Sequence, residues 1–153
     1  MAESQYVVFS LDKEEFGIDI MDVKEIIPYQ ESIQIPNSPY FIEGVINYRG
    51  NVIPIINLRK RFKLEEGDMT KETRIIVISL EEKEIGFIVD EASQTLRLDE
   101  EQIDPTPDVI SDIDRRYMIG VGKIDESRLL ILLNLEKILS DKEINEINTL
   151  EME

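Results

Sequence analysis

Apolar residues in this chain gather in short blocks separated by charge. Six apolar runs stand out, at 6–11, 16–20, 52–56, 74–80, 85–89 and 129–133. They are short, rich in Ile and Val, and closed off by charged clusters, Gly or Pro. Length and β-branched content predict strands rather than helices. Several runs are apolar at every position, which predicts burial on both faces, as in a small barrel or a packed pair of sheets. Helical signals are few. Asn57 is placed to cap a short turn over 58–62. Ser140-Asp141-Lys142-Glu143 has capping-box form, and Ile144, Ile147 and Leu150 behind it predict a C-terminal helix whose apolar stripe docks on the protein's own core. Between 19 and 29 the signals conflict. Asp19 suits an N-cap, and Ile20, Val23 and Ile26 have helical spacing, but β-branched residues and Pro28 oppose a long helix. A short helical turn feeding a strand is expected there.

The pattern occurs twice. Val7-Val8-Phe9-Ser10-Leu11-Asp12-Lys13-Glu14-Glu15-Phe16-Gly17-Ile18 matches Ile76-Val77-Ile78-Ser79-Leu80-Glu81-Glu82-Lys83-Glu84-Ile85-Gly86-Phe87 without a gap. The same offset puts Pro36 on Pro105. Gly44-Val45 and the run 52–58 then match Gly120-Val121 and the run 129–135 after a one-residue insertion. Each repeat reads strand, charged turn, strand with a Gly, Pro-containing loop, Gly-Val strand, apolar strand, and Asn-Leu entering a short helix. Two such β-rich halves are small to stand alone, so they are expected to pack on each other. Greek-key or SH3-like barrels are the natural size class, because closure removes exposed edges. The expected division is a single domain over 5–150. Subdomain 1 covers about 14–66. Subdomain 2 covers about 72–139 plus the N-terminal strand, and the two meet near the polar segment 63–72. A helix and tail follow over 140–153.

Composition narrows the function. The chain has 153 residues with 17 Lys+Arg against 33 Asp+Glu, a formal charge of −16. Phosphate-rich partners are repelled by such a charge, so no nucleic-acid or anionic-lipid affinity is expected. Without Cys or His, thiolate nucleophiles, imidazole-based catalytic triads and the usual zinc ligand sets are excluded. The N-terminus has no positive cluster before an apolar stretch, and the apolar runs fall far short of the ~20 residues that span a bilayer. A soluble, cytoplasmic protein with no direct membrane insertion is the expectation. Gly120-Val121-Gly122-Lys123 fails as a phosphate loop, since Tyr117 and Ile124 break the Walker pattern. The acidic stretch 99–114 carries seven carboxylates and reads as a solvated face. Paired-carboxylate hydrolysis stays open, because many acids always offer pairs.

One segment reverses the charge. Residues 44–63 hold Arg49, Arg59, Lys60, Arg61 and Lys63 and no acid, a local +5 that leaves −21 for the rest. Arg49-Gly50-Asn51 reads as a turn between apolar strands. Pro54, inside a strand-like run, points to an edge strand or a bulge. The second repeat has Ile124-Asp125-Glu126-Ser127 at the matching place and no Pro, so the halves share a scaffold and differ here. For Arg49 two readings stand level: a pair with a structural acid, or a contact residue. Lys60 and Arg61 read as a solvated helix face.

These residues also resemble a known family. Phe16-Gly17-Ile18-Asp19-Ile20, Val23-Lys24-Glu25-Ile26 and the run from Phe41 through Asn47-Tyr48-Arg49-Gly50-Asn51-Val52-Ile53-Pro54-Ile55-Ile56-Asn57-Leu58-Arg59 strongly resemble the CheW family of bacterial chemotaxis adaptors. Val89-Asp90, Gly120-Val121-Gly122 and the run 129–135 fit as well, so the likeness extends from about Gln5 to Leu139. It implies an all-β fold of two packed five-stranded SH3-like antiparallel barrels with short helices and a C-terminal helix. It implies no catalysis and no cofactor. The implied partners are the regulatory domain of a CheA-type histidine kinase and the cytoplasmic tip of methyl-accepting chemoreceptors, the latter recruiting the protein to membrane arrays. Carried over by position, Glu25 and Arg49 match a pair important in the family. Val23 matches a receptor-contact position, and Ile26 and Val45 are expected to add apolar contact. Gly44, Asn47, Gly50, Pro54 and Arg59 complete the motif. Tyr48 stands where an apolar residue such as Leu is common. The remaining alternatives are an isolated CheA regulatory domain, half of a CheV-type protein, or a CheW-like scaffold of another two-component pathway.

Overall fold

Strands form where the apolar runs lie, and charged two-residue turns set their register. The computed structural model describes residues 3–65, 67–80, 82–107 and 116–138. These contain the strands β1 (Glu3–Leu11), β2 (Glu14–Asp19), β3 (Val23–Pro28), β4 (Ile42–Tyr48), β5 (Asn51–Asn57), β6 (Arg74–Leu80), β7 (Lys83–Val89), β8 (Glu91–Asp99), β9 (Ile103–Asp104), β10 (Met118–Lys123) and β11 (Leu129–Leu133). The described helical parts are α1 (Leu58–Arg61) and three 3-10 turns. Asn57 caps α1 by accepting from the Lys60 amide at 3.2 Å. Asp19 caps the 3-10 turn Ile20–Asp22, which feeds β3 as the conflicting signals there implied. The predicted helix over 140–153 lies outside the described residues, as does part of the acidic stretch 99–114.

The strands make two sheets. One has the order β8-β1-β2-β11-β10-β9, the other β3-β6-β7-β5-β4. The fold is therefore all-β, with two SH3-like subdomains, and the two-residue β9 raises one sheet above five strands. The sheets are not purely antiparallel, since β2 with β11 and β5 with β7 run parallel. The repeat shows in their register. Gly17 and Ile18 lie opposite Leu132 and Leu133, while Gly86 and Phe87, one repeat later, lie opposite Ile55 and Ile56.

The repeats are not the subdomains. The hairpin β1-β2 of the first repeat pairs with β8 and β11 of the second, and the hairpin β6-β7 of the second pairs with β3 and β5 of the first. This exchange moves the boundaries away from 14–66 and 72–139. The five-stranded sheet takes residues 23–89, and the six-stranded sheet takes 3–19 with 91–133. β2 thus leaves the first subdomain, and β6 and β7 leave the second. Segment 63–72 connects α1 to β6 within one subdomain instead of marking the junction. The chain crosses between sheets at Ile20–Asp22 and at Asp90.

Burial on both faces follows from this packing. Along β1, Tyr6 and Val8 join Leu98, Leu130 and Leu132 within the six-stranded subdomain. The alternate residues Val7, Phe9 and Leu11 join Ile56, Ile76, Ile78 and Phe87 in a core shared by both sheets. β6 repeats the arrangement, with Ile75 and Val77 inside the five-stranded subdomain and Ile76 and Ile78 in the shared core. Two-residue periodicity sends neighbours to opposite faces, so a strand between two cores must be apolar throughout.

Pro54 departs from expectation. β5 is an interior strand, between β7 and β4. Pairing with β7 begins only at Ile55. Opposite Pro54 stands Val45, whose amide and carbonyl both turn away to Ile33, at 2.9 and 2.8 Å. Neither neighbour needs the N–H that proline lacks. The bulge lies in β4, between Ile42 and Gly44. Gly120–Lys123, the failed phosphate loop, is part of β10.

Candidate functional site

β3 and β4 are the two outer strands of the five-stranded sheet, and side chains join them. At the end of β4, Arg49 and Gly50 form a two-residue turn with φ of +51° and +87°, closed by the pairing of Tyr48 with Asn51. Positive φ at both central residues defines a type I′ hairpin, whose twist suits the flanking strands. The Asn47 side chain accepts from the Gly50 amide at 3.0 Å. Glycine tolerates this conformation, whereas arginine is disfavoured in it by about 1–2 kcal/mol. Strain of this kind persists where the surroundings hold the residue in place, and it clusters at functional positions.

Here the holding group is Glu25 on β3. Arg49 donates to its Oε1 from Nε at 3.0 Å, with Nη2 at 2.8 Å. Tyr48 donates its phenolic hydroxyl to the same oxygen at 2.5 Å. The guanidinium lies over the Tyr48 ring, 5.6 Å from its centroid. The Tyr48 hydroxyl, with the Arg49 guanidinium, holds the Glu25 carboxyl below the usual carboxylate range. The bond to Glu25 in turn pushes the Tyr48 phenol up. Beside them Lys24 pairs with Glu84 at 2.8 Å. A carboxylate kept ionised by a phenol and a guanidinium is a poor proton donor and a good acceptor. The arrangement fastens two strands and displays a cation.

The expected apolar contact residues lie on the same two strands. Ile26 is 36% exposed on β3. Val23 is half-buried and packs against the shared core. Val45 is half-buried on β4, bridged to Ile33. Gly44 makes that bridge possible: with φ of +153°, a Cβ there would stand 2.2 Å from the Ile33 carbonyl oxygen. More exposed than the expected residues are Met21 (85%), Ile33 (74%) and Val52 (65%). Ile33 pairs with Val45 and Val52 with Asn47, while Met21 lies two residues before Val23. A turn residue such as Met21 carries no periodic signal that marks it as exposed.

Arg59 belongs to a different place. Its Nε donates to Asp90 Oδ1 at 2.8 Å, Nη2 completes a two-point pair on Oδ2, and Nη1 donates to the Glu65 carbonyl at 2.8 Å. Asp90 also accepts from the Asp12 amide at 2.8 Å. Arg59 thus buckles α1 to a crossing point and to the β1-β2 turn. Nor are its neighbours a solvated helix face. Lys60 pairs with Glu43 at 3.1 Å, and Arg61 donates to the Ile138 carbonyl at 2.6 Å and lies over the Phe41 ring. Among the described residues there is no cluster of acids that would hold a metal ion, and no helix is long and apolar enough to cross a membrane.

The comparisons with known proteins agree with one another. The family model described as a CheW-like domain matches residues 5–143. The chemotaxis protein CheW of Klebsiella aerogenes is 39% identical over 140 residues, covering 92% of this chain and 84% of that protein. The CheW of Bacillus subtilis is also 39% identical, covering 90% of this chain and 86% of its own. The crystal structure of the scaffolding protein TtCheW from Thermoanaerobacter tengcongensis superposes with a TM-score of 0.82 at 35% identity, covering 94% of this chain and 92% of that one. Both subdomains and the Glu25–Arg49 seam fall within the matched residues, and the chain belongs to the CheW-like family.

Proposed function

We propose that this protein is a non-enzymatic adaptor of bacterial chemotaxis, coupling a CheA-type histidine kinase to the cytoplasmic tips of methyl-accepting chemoreceptors. The observation that carries the reading is the near full-length match to chemotaxis CheW proteins, which takes in both subdomains. The seam supports it physically. Exposed apolar residues at Met21, Ile26, Ile33 and Val52 flank a fixed cation, which is the equipment of a docking surface. An adaptor accelerates no reaction. It passes on a receptor state only if its contacts with kinase or receptor differ in free energy between states. In this reading Val23, Ile26 and Val45 supply apolar contact to the receptor's helical tip, and the Glu25–Arg49 pair holds the seam beneath them. Recruitment to membrane arrays is then entirely through partners.

Mixing the protein with a CheA-type regulatory domain and, separately, with a receptor-tip fragment tests the reading. Size-exclusion chromatography and chemical-shift mapping are expected to report complexes with both. Absence of binding to either sinks the proposal.

A further inference from the structure

The side chain that makes this ion pair unusual is Tyr48. Its ring is a core residue, 4% exposed among Ile46, Ile53, Ile55, Ile75, Val77 and Ile88. Its hydroxyl leaves that core at one point and meets Glu25 Oε1 at 2.5 Å. The same oxygen receives Arg49 Nε at 3.0 Å and Nη2 at 2.8 Å. Among the described residues the other contacts of Arg49 are with Tyr48 itself, through the ring beneath it and a direct side-chain hydrogen bond, and its side chain is 68% exposed. An exposed ion pair alone is a loose object, because two long side chains must both be ordered to form it. Anchoring one partner from the protein interior changes that. A buried tyrosine has few rotamers left to lose, and its hydroxyl requires an acceptor.

We propose that Tyr48 is a positioning residue: its hydroxyl fixes the Glu25 carboxylate, and through it sets the exposed Arg49 guanidinium in one orientation for the docking partner. The proposal rests on the adaptor reading for its partner but not for its geometry. Phenylalanine at this position fills the same core volume and removes only the donor. Leucine removes the ring support as well.

The experiment has two arms. In the free protein, NMR follows the Glu25 carboxyl titration and the order of the Arg49 Nε–Hε group. In Tyr48→Phe the Glu25 titration midpoint is expected to rise and the Arg49 side chain to become mobile, with the backbone spectrum unchanged elsewhere. Glu25→Gln, which keeps the core intact, is expected to mobilise Arg49 in the same way. In the second arm, affinity for the kinase regulatory domain and the receptor-tip fragment is measured by calorimetry. Tyr48→Phe is expected to weaken one of them by about three- to tenfold, non-additively with Arg49→Ala. An unchanged Glu25 midpoint and an ordered Arg49 in Tyr48→Phe overturn the proposal. So does a mobile Arg49 with unchanged affinities, or losses that simply add. If the wild-type protein binds neither partner, the adaptor reading falls, and the orienting role of Tyr48 is decided by the NMR arm alone.

Discussion

Replacing Gly44 by alanine probes the seam where it is tightest. The added methyl would stand 2.2 Å from the Ile33 carbonyl oxygen, 2.7 Å from its carbon and 2.9 Å from Ser32 Oγ, well inside the 3.4 Å at which ordinary contact begins. Two of these three atoms are backbone, so no rotamer change relieves the crowding. Either β4 or the Ile33 segment must move, and the two bonds between Ile33 and Val45, at 2.8 and 2.9 Å, go with it. Their loss costs about 1 kcal/mol each, and an L-residue at this φ adds about 1–3 kcal/mol, giving about 3–5 kcal/mol in all. Gly50→Ala is the internal control. Its φ is +87° but nothing lies within 4 Å of the new methyl, so only the conformational cost of about 1–2 kcal/mol applies. Urea unfolding of both variants, read by circular dichroism, gives the two costs. Hydrogen exchange at Val45 shows whether the bridge has opened. If Gly44→Ala is no more costly than Gly50→Ala, or the Val45 amide stays protected, crowding against Ile33 is not what demands glycine there.

Further outcomes follow from the ion pairs and the exposed strand. Exchanging the charges in Glu25→Arg with Arg49→Glu is expected to restore part of the partner binding that each single change removes; no rescue, with single variants that fold and bind normally, refutes the pairing. Arg59→Met is expected to destabilise by about 1–3 kcal/mol, because it strips a charged partner from part-buried Asp90. Burial pushes Asp90 up, but the Arg59 hydrogen bond, the Asp12 amide and the Arg59 charge outweigh it and hold the carboxyl below its ordinary value. Its contribution is therefore complete above the unfolded carboxylate value and lost as pH falls through the folded one. Stability in Arg59→Met is expected to decline less steeply on the acid side than in the wild type, as measured by unfolding between neutral and acidic pH; an equal slope removes Asp90 from the account. Ile26→Asp, at an exposed position, is expected to shift stability by no more than about 0.5 kcal/mol while weakening receptor-tip binding in calorimetry; undiminished binding takes Ile26 out of the contact surface.

Where the sequence was legible, the reason was local. The run 74–80 is a strand because every residue from Ile75 to Ile78 meets an apolar core on one side or the other. The Arg49-Gly50 turn was legible because a short polar break containing Gly separates two apolar runs of strand length. β8 carries little apolar signal because it is an outer strand with Glu91, Gln94, Thr95 and Arg97 exposed and Leu98 fully buried. The partners of Tyr48 and Arg59 were not legible, since Glu25 lies 23 residues away and Asp90 lies 31. Tyr48 looked like a small variation on an apolar position, whereas its hydroxyl is bonded into the pair. The strand pairing between the two repeats is hidden for a related reason. A repeat identifies which segments are equivalent, but not which copy's strands they pair with, and exchange of hairpins leaves the repeat in the sequence untouched.

The two crossings of the chain have a mechanical consequence. The crossing points are the turn Ile20–Asp22 and the single residue Asp90. The rest of the junction is the apolar core that both sheets share, so packing and the two crossings hold the subdomains together. Arg59 grips one crossing itself, and through Asp90 reaches the Asp12 amide on the far side. Its guanidinium thus ties the helix, the crossing and the β1-β2 turn together at a point where a single residue carries the chain from one sheet to the other.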